Sequence, residues 1–118
     1  MHSIMRKYLQ ILEIELEDLK EDIELLIARN KEKGKKGKIS SYVLLENMAV
    51  LRNELCGIGT FRKILAGINP ETYSSVDEFI KDIEQQFRVR IAECGFGEGV
   101  FLMIQRKLHK VLKYVTHE

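Results

Sequence analysis

Between residues 5 and 26 the apolar side chains Met5, Leu9, Leu12, Leu16, Leu19, Ile23 and Leu26 follow one another at alternating intervals of four and three. A strand would alternate every second residue; this spacing lines one side of a helix for three heptads. The segment is therefore expected to be one long helix whose seam is covered by other helices. The residues between are mostly acidic (Glu13, Glu15, Glu17, Asp18, Glu21, Asp22 and Glu24) and belong in water. Ile11, Ile14 and Leu25 lie off the seam, so a second side of the helix is also expected to be touched.

The stretch 31–38, KEKGKKGK, is expected to stop this helix near residue 30, because glycine and a block of lysines neither propagate a helix nor pack. Ser40 then has the chemistry of an N-cap, with Ile39 before it able to staple onto Leu44. A second seam runs Leu44, Met48, Leu51, Leu55, Ile58 and Leu65, with Arg62 in a slot due an apolar residue. Gly57 and Gly59 each cost about 1 kcal/mol relative to Ala, so a kink or a break is expected at 57–59. Gly67 and Asn69-Pro70 end that helix, and Ser75 with Glu78 reads as a capping box. A third helix follows, with Val76, Phe79, Ile80, Ile83, Phe87, Ile91 and Cys94 on one face. After GFGEG at 95–99 a fourth shows Phe101, Ile104, Leu108, Val111, Leu112 and Val115 inward. In that turn Gly95 is expected in the left-handed conformation, with Phe96 folding back onto the core.

These four elements give an all-α fold: an antiparallel four-helix bundle, 1–118 as a single helical domain, with a long hairpin (helices 1 and 2) and a shorter pair (helices 3 and 4). A first helix of about 28 residues is roughly 42 Å long, against about 27 Å for the third and fourth. The short connection 67–75 should start helix 3 near the N-terminus of helix 1, so that the short pair covers only the open half of the hairpin. A tip of about 15 Å is left projecting. Its apolar residues Leu19, Ile23, Leu25, Leu26, Ile27, Leu44, Leu45 and Met48 exceed what two helices can enclose, and an exposed patch of that kind marks an interface. The expected occupant is a second copy, forming a homodimer, or another helical protein. The competing expectation is that a break at 57–59 shortens helix 2 and lets the fold close on itself.

Charge adds a second pattern. The chain is near neutral overall at +1, yet residues 1–28 carry −4, 29–38 carry +5 and 99–118 carry +3. Arg29, Lys31, Lys33, Lys35, Lys36 and Lys38, with Arg106, Lys107 and Lys110 on helix 4, are candidate phosphate contacts, since lysines on flexible backbone release counterions from nucleic acid. No aromatic residue interleaves with the loop lysines, and the overall balance is far from that of a basic nucleic-acid domain. Nucleic acid is thus a less favoured partner.

Catalytic patterns are thin. Glu15, Asp18 and Asp22 share a face, as the metal-holding acids of an all-α nucleotide hydrolase would. The second helix offers only Glu46 and Glu54 opposite them, and a hydrated acidic face is the plainer reading. His2, His109 and His117 have no Glu three residues before them, which removes the di-iron bundle motif. Cys56 and Cys94 are expected to be small buried hydrophobes. With no disulfide framework, no apolar run long enough for a membrane and no signal-peptide core in MHSIMRKYLQ, the expected location is cytoplasmic. No catalytic residue, cofactor or metal is expected. The reading is a non-enzymatic interaction or scaffold module working through apolar helix faces, Ile11 and Ile14 included. A small nucleic-acid-associated protein comes second and a metal-dependent nucleotide hydrolase third.

Overall fold

Four helices run alternately up and down in a computed structural model that describes residues 2–117: α1 (His2–Lys35), α2 (Ser41–Ala66), α3 (Val76–Cys94) and α4 (Glu98–Thr116). A 3-10 turn at Pro70–Thr72 joins α2 to α3, and no strand occurs among the described residues. Around the bundle α1 lies beside α2 and α4, and α3 lies beside the same two.

Local chemistry sets the ends. Ser40 Oγ accepts from the Val43 amide at 3.2 Å, and Asn69 Oδ1 from the Glu71 amide at 3.0 Å. Ser75 Oγ accepts from the Glu78 amide at 3.1 Å, but the Glu78 carboxylate reaches one residue further back, to the Ser74 amide at 3.1 Å and the Ser74 hydroxyl. The capping box is thus displaced by one position at its acidic end. Gly95 takes φ +70° and Phe96 folds onto the core, as the spacing predicts.

One apolar cluster joins all four helices. Tyr8, Leu12, Leu16, Phe61, Ile83, Phe87, Ile104 and Leu108 are fully enclosed in it. Covering each large side chain of this kind stabilises the fold by about 1.5–3 kcal/mol. Phe61 meets Phe87 edge-on at 5.1 Å, and Phe87 stacks on Phe101 at 6.0 Å. The one phenol at the centre, Tyr8, donates to the Leu108 carbonyl at 3.0 Å; burial, with Glu84 nearby, raises its pKa and keeps it a donor.

Three expectations are corrected. The first helix does not stop near residue 30: it runs through Gly34 to Lys35, so Lys31, Lys33 and Lys35 are helical and only 36–40 is a connection. The reason is contact. A side chain at Gly34 would begin 2.8 Å from Leu44 Cδ2, so the missing Cβ lets α2 close against α1, and the termination falls instead at Gly37, with φ +70°. There the Lys38 amide donates to the Lys33 carbonyl at 2.9 Å and the Gly37 amide to the Gly34 carbonyl at 3.2 Å, a Schellman cap.

Nor is α2 broken at 57–59. Gly57 is buried, and a Cβ there would begin 2.3 Å from Val100 Cγ1: the glycine is a seat for α4, and that contact offsets its low helix propensity. Finally, Cys56 and Cys94 are exposed, not buried: Cys56 falls outside the stripe α2 turns inward, and Cys94, though in line with Phe87 and Ile91, is the last residue of α3.

Candidate functional site: the hairpin tip

At 34 residues against 19, α1 is longer than α3 and α4, and with Phe79 beside Tyr8 near one end and Val100 on Gly57 near the other, about 18 Å of it projects at the tip, close to the 15 Å expected. The molecule is accordingly 54 Å long. Over this length, residues 24–35 and 41–53, α1 and α2 run beside each other beyond the ends of α3 and α4. Ile23 and Met48, offered by the sequence as contact residues, are 3% and 5% exposed: Ile23 belongs to the four-helix core and Met48 is buried within the hairpin, so neither is offered to a partner. Leu19, Ile27 and Leu44 are half-buried, while Leu25, Leu26 and Leu45 are exposed, together with Tyr42, Val43 and Val50, which the seam did not reveal.

Near Met48 the tip buries a polar group. Asn30 falls four residues after Leu26, in the next slot of the four-three seam, and its Nδ2 donates to the Leu44 carbonyl at 3.3 Å. Asn47 Nδ2 in turn donates to Asn30 Oδ1 at 3.0 Å. A one-turn slip of α1 past α2 would leave these amides unpaired, so the pair holds the register of the hairpin.

The exposed residues are not randomly spread. On α2, Val43, Val50 and Gly57 recur every seven residues and share a side; Gly57 is the residue on which Val100 of α4 sits. On α1, Glu15, Asp22, Leu26 and Lys33 share a side in the same way; Glu15 is the residue that α4 reaches, through Lys110 Nζ at 2.8 Å and Lys107 Nζ at 3.3 Å. These two stripes bound the trough that α3 and α4 fill in the lower half of the molecule. At the tip the trough continues uncovered, lined by Leu26, Val50 and Leu51, with Arg29 and Lys33 on its rim and the two asparagines in its floor. Leu25 lies next to Arg29 at the edge, whereas Leu45 is about 140° around α2 from Val50 and belongs to the opposite side. Half-buried Glu54 stands at the root of the trough, its carboxyl pKa raised by burial.

The remaining candidates are dispersed. Lys31, Lys33, Lys35, Lys36 and Lys38 are exposed with Arg29 at the tip, and Lys36 pairs with Glu32 at 3.4 Å. Arg106 and Lys110 line a cleft on α4 with His109 and Lys113, but Lys107 turns inward to Glu15. Since Lys110 lands on Glu15 and Lys35 is 20 residues further along α1, the two basic groups lie about 30 Å apart and form no continuous phosphate track.

The acidic face is likewise divided. Lys110 donates to Glu15 and, with Lys107, holds that carboxyl below its ordinary pKa against the desolvation that acts the other way. Arg62, the cation in the apolar slot, lies 3.0 Å from both Glu13 and Glu17, which explains why a seam position of α2 carries charge. Asp18 and Asp22 are exposed, and no three His, Cys, Asp or Glu side chains converge among the described residues. A second groove, between α1 and α4, is lined by Ile11, Val111 and Tyr114 under Lys110, Lys113 and His117; Ile14 stands exposed on α1 and does not line it. No described helix is long and apolar enough to cross a membrane. Neither the protein-family models, the curated proteins nor the solved structures compared with this chain match it.

Proposed function

We propose that the protein is a non-enzymatic interaction module that presents the tip of the α1–α2 hairpin to other helices and self-associates through it. The supporting observation is the uncovered trough: the channel that takes two helices in the lower half stays open above, with Leu26 and Val50 about half exposed in its wall. Covering large apolar side chains is worth about 1.5–3 kcal/mol each, and a two-helix layer offers no other way to do it. A second copy is the simplest occupant, because two-fold association needs no further gene product. The two free thiols suit a reducing compartment, and the cytoplasm is the location we infer.

Light scattering on the purified chain is the test. Twice the chain mass is expected at low and at high salt, and Leu26→Glu with Val50→Glu is expected to give a monomer of unchanged helicity. A wild-type chain that is monomeric throughout, and is retained on heparin until salt releases it, would replace this reading with nucleic-acid association.

A further inference from the structure

Away from the tip lies a second apolar surface, the groove between α1 and α4. We propose that it is a docking groove for an acidic amphipathic helix of another protein, a surface separate from the one proposed for self-association.

The groove runs between two antiparallel helices and has a volume of about 740 Å³. Buried Val111 and half-buried Ile11 form its floor, and Tyr114 stands 57% exposed at its side. Ile4, seven residues before Ile11 and on the same side of α1, is 47% exposed and carries the apolar surface on towards the end of α4. These side chains face away from α2 and α3, so no other helix of the chain covers them.

Charge indicates what does. On α4, Arg106, Lys110, Lys113 and His117 recur at intervals of four, three and four, so one basic stripe borders the groove for about 16 Å. The acid lining the groove, Glu15, is already held by Lys110 at 2.8 Å and Lys107 at 3.3 Å. Arg106 and Lys113 make no ion pair among the described residues. The next acid on that side of α1, Asp18, stands beyond the groove.

An apolar floor beside an unneutralised basic stripe fits an occupant with the converse pattern, an apolar stripe flanked by carboxylates. The length, about three helical turns, and the four-three spacing are those of a helix, whose apolar side chains would rest on Ile11 and Tyr114 while its acids meet Lys113 and Arg106. Nucleic acid would engage the same cations but leave Ile4, Ile11 and Tyr114 without an apolar partner. The same groove of a second copy would bring cation onto cation.

The test is fluorescence anisotropy with a labelled synthetic helix that carries leucines on one four-three stripe and glutamates beside it. One control peptide has lysine for every glutamate, and another has serine for every leucine. The acidic amphipathic helix is expected to bind the full chain at least about tenfold more tightly than either control. Lys113→Glu and Tyr114→Ser, both at exposed positions, are each expected to weaken it about tenfold with helicity unchanged. Leu26→Glu with Val50→Glu is expected to bind it as the wild type does. No binding, equal binding of the three peptides, or wild-type binding by the Lys113 and Tyr114 variants would overturn the proposal. So would loss of binding in the Leu26 and Val50 variant, which would place the helix at the tip. Displacement of the peptide by a single-stranded DNA oligomer at lower concentration would assign the stripe to phosphates, and loss of self-association in Tyr114→Ser would make a second copy the occupant; either result overturns the proposal as well.

Discussion

Leu12 and Leu16 are 0% exposed, and Leu26, on the same helix and the same seam, is 47% exposed. Nothing in the four-three spacing distinguishes them. What differs is the opposite wall: three helices surround the first two, and α2 alone accompanies the third. An apolar seam therefore states that a side will be covered, and the lengths of the other helices decide whether its own chain does the covering. The lower half holds a stacked aromatic core and a single enclosed phenol; the tip has Met48 and an asparagine pair. One is a core in its own right and the other is half of one.

Truncating the two regions should separate them most widely. Phe61→Ala, in the middle of the bundle, is expected to cost about 3–5 kcal/mol in urea unfolding, whereas Met48→Ala at the tip should cost no more than about 2 kcal/mol, because fewer atoms surround it. Equal costs would mean that the tip is as enclosed as the bundle.

Two neighbouring glycines sharpen the contrast between a seat for a helix and an open face. Gly57→Ala drives a methyl into Val100 and is expected to destabilise by about 1–3 kcal/mol, with recovery on adding Val100→Ala. Gly59→Ala meets nothing within 4 Å and should stabilise α2 by about 1 kcal/mol. Thermal unfolding of the pair reads opposite signs from one substitution type.

A smaller effect is expected at the polar pair of the tip. Asn30→Ala should cost about 1 kcal/mol by leaving Asn47 without its acceptor, and Asn30→Leu should be nearly neutral in stability while admitting more than one oligomer in sedimentation.

The smallest concerns the α1–α4 contact of the lower half. The folded-state pKa of Glu15 lies below its unfolded value, so its contribution is complete above the ordinary carboxylate range and is lost as pH falls through the lowered pKa. Its first partner, Lys110, is 61% exposed, and screening there limits the loss to about 0.2–1 kcal/mol, so Glu15→Gln should flatten the acid limb of the stability curve by that much.

Much of this contrast was legible in the residues. The seam of α1, the Ser40 and Ser75 caps, the left-handed Gly95 and the inward faces of α3 and α4 all follow from local rules of spacing and capping. The continuation of α1 was not legible, because the next seam slots hold Asn30 and Lys33 and Gly34 follows, none of which scores as apolar. Asn30 and Gly34 are explained by α2: one asparagine meets another, and one glycine admits Leu44. Gly57 misled for the same reason, since a glycine that weakens an isolated helix also gives a neighbouring helix room to approach. At the tip, Leu25, Leu26 and Leu45 emerged as exposed and Ile23 and Met48 did not, because which side of a hairpin stays bare depends on where the second hairpin ends.

Amide hydrogen exchange as a function of protein concentration tests most directly whether a second copy completes the tip. Amides of residues 24–35 and 41–53 should become better protected as concentration rises, while those around Leu12 and Ile104 stay unchanged. Protection at the tip that is already as high as in the bundle, and independent of concentration, would show that the hairpin stands complete by itself and would contradict the account.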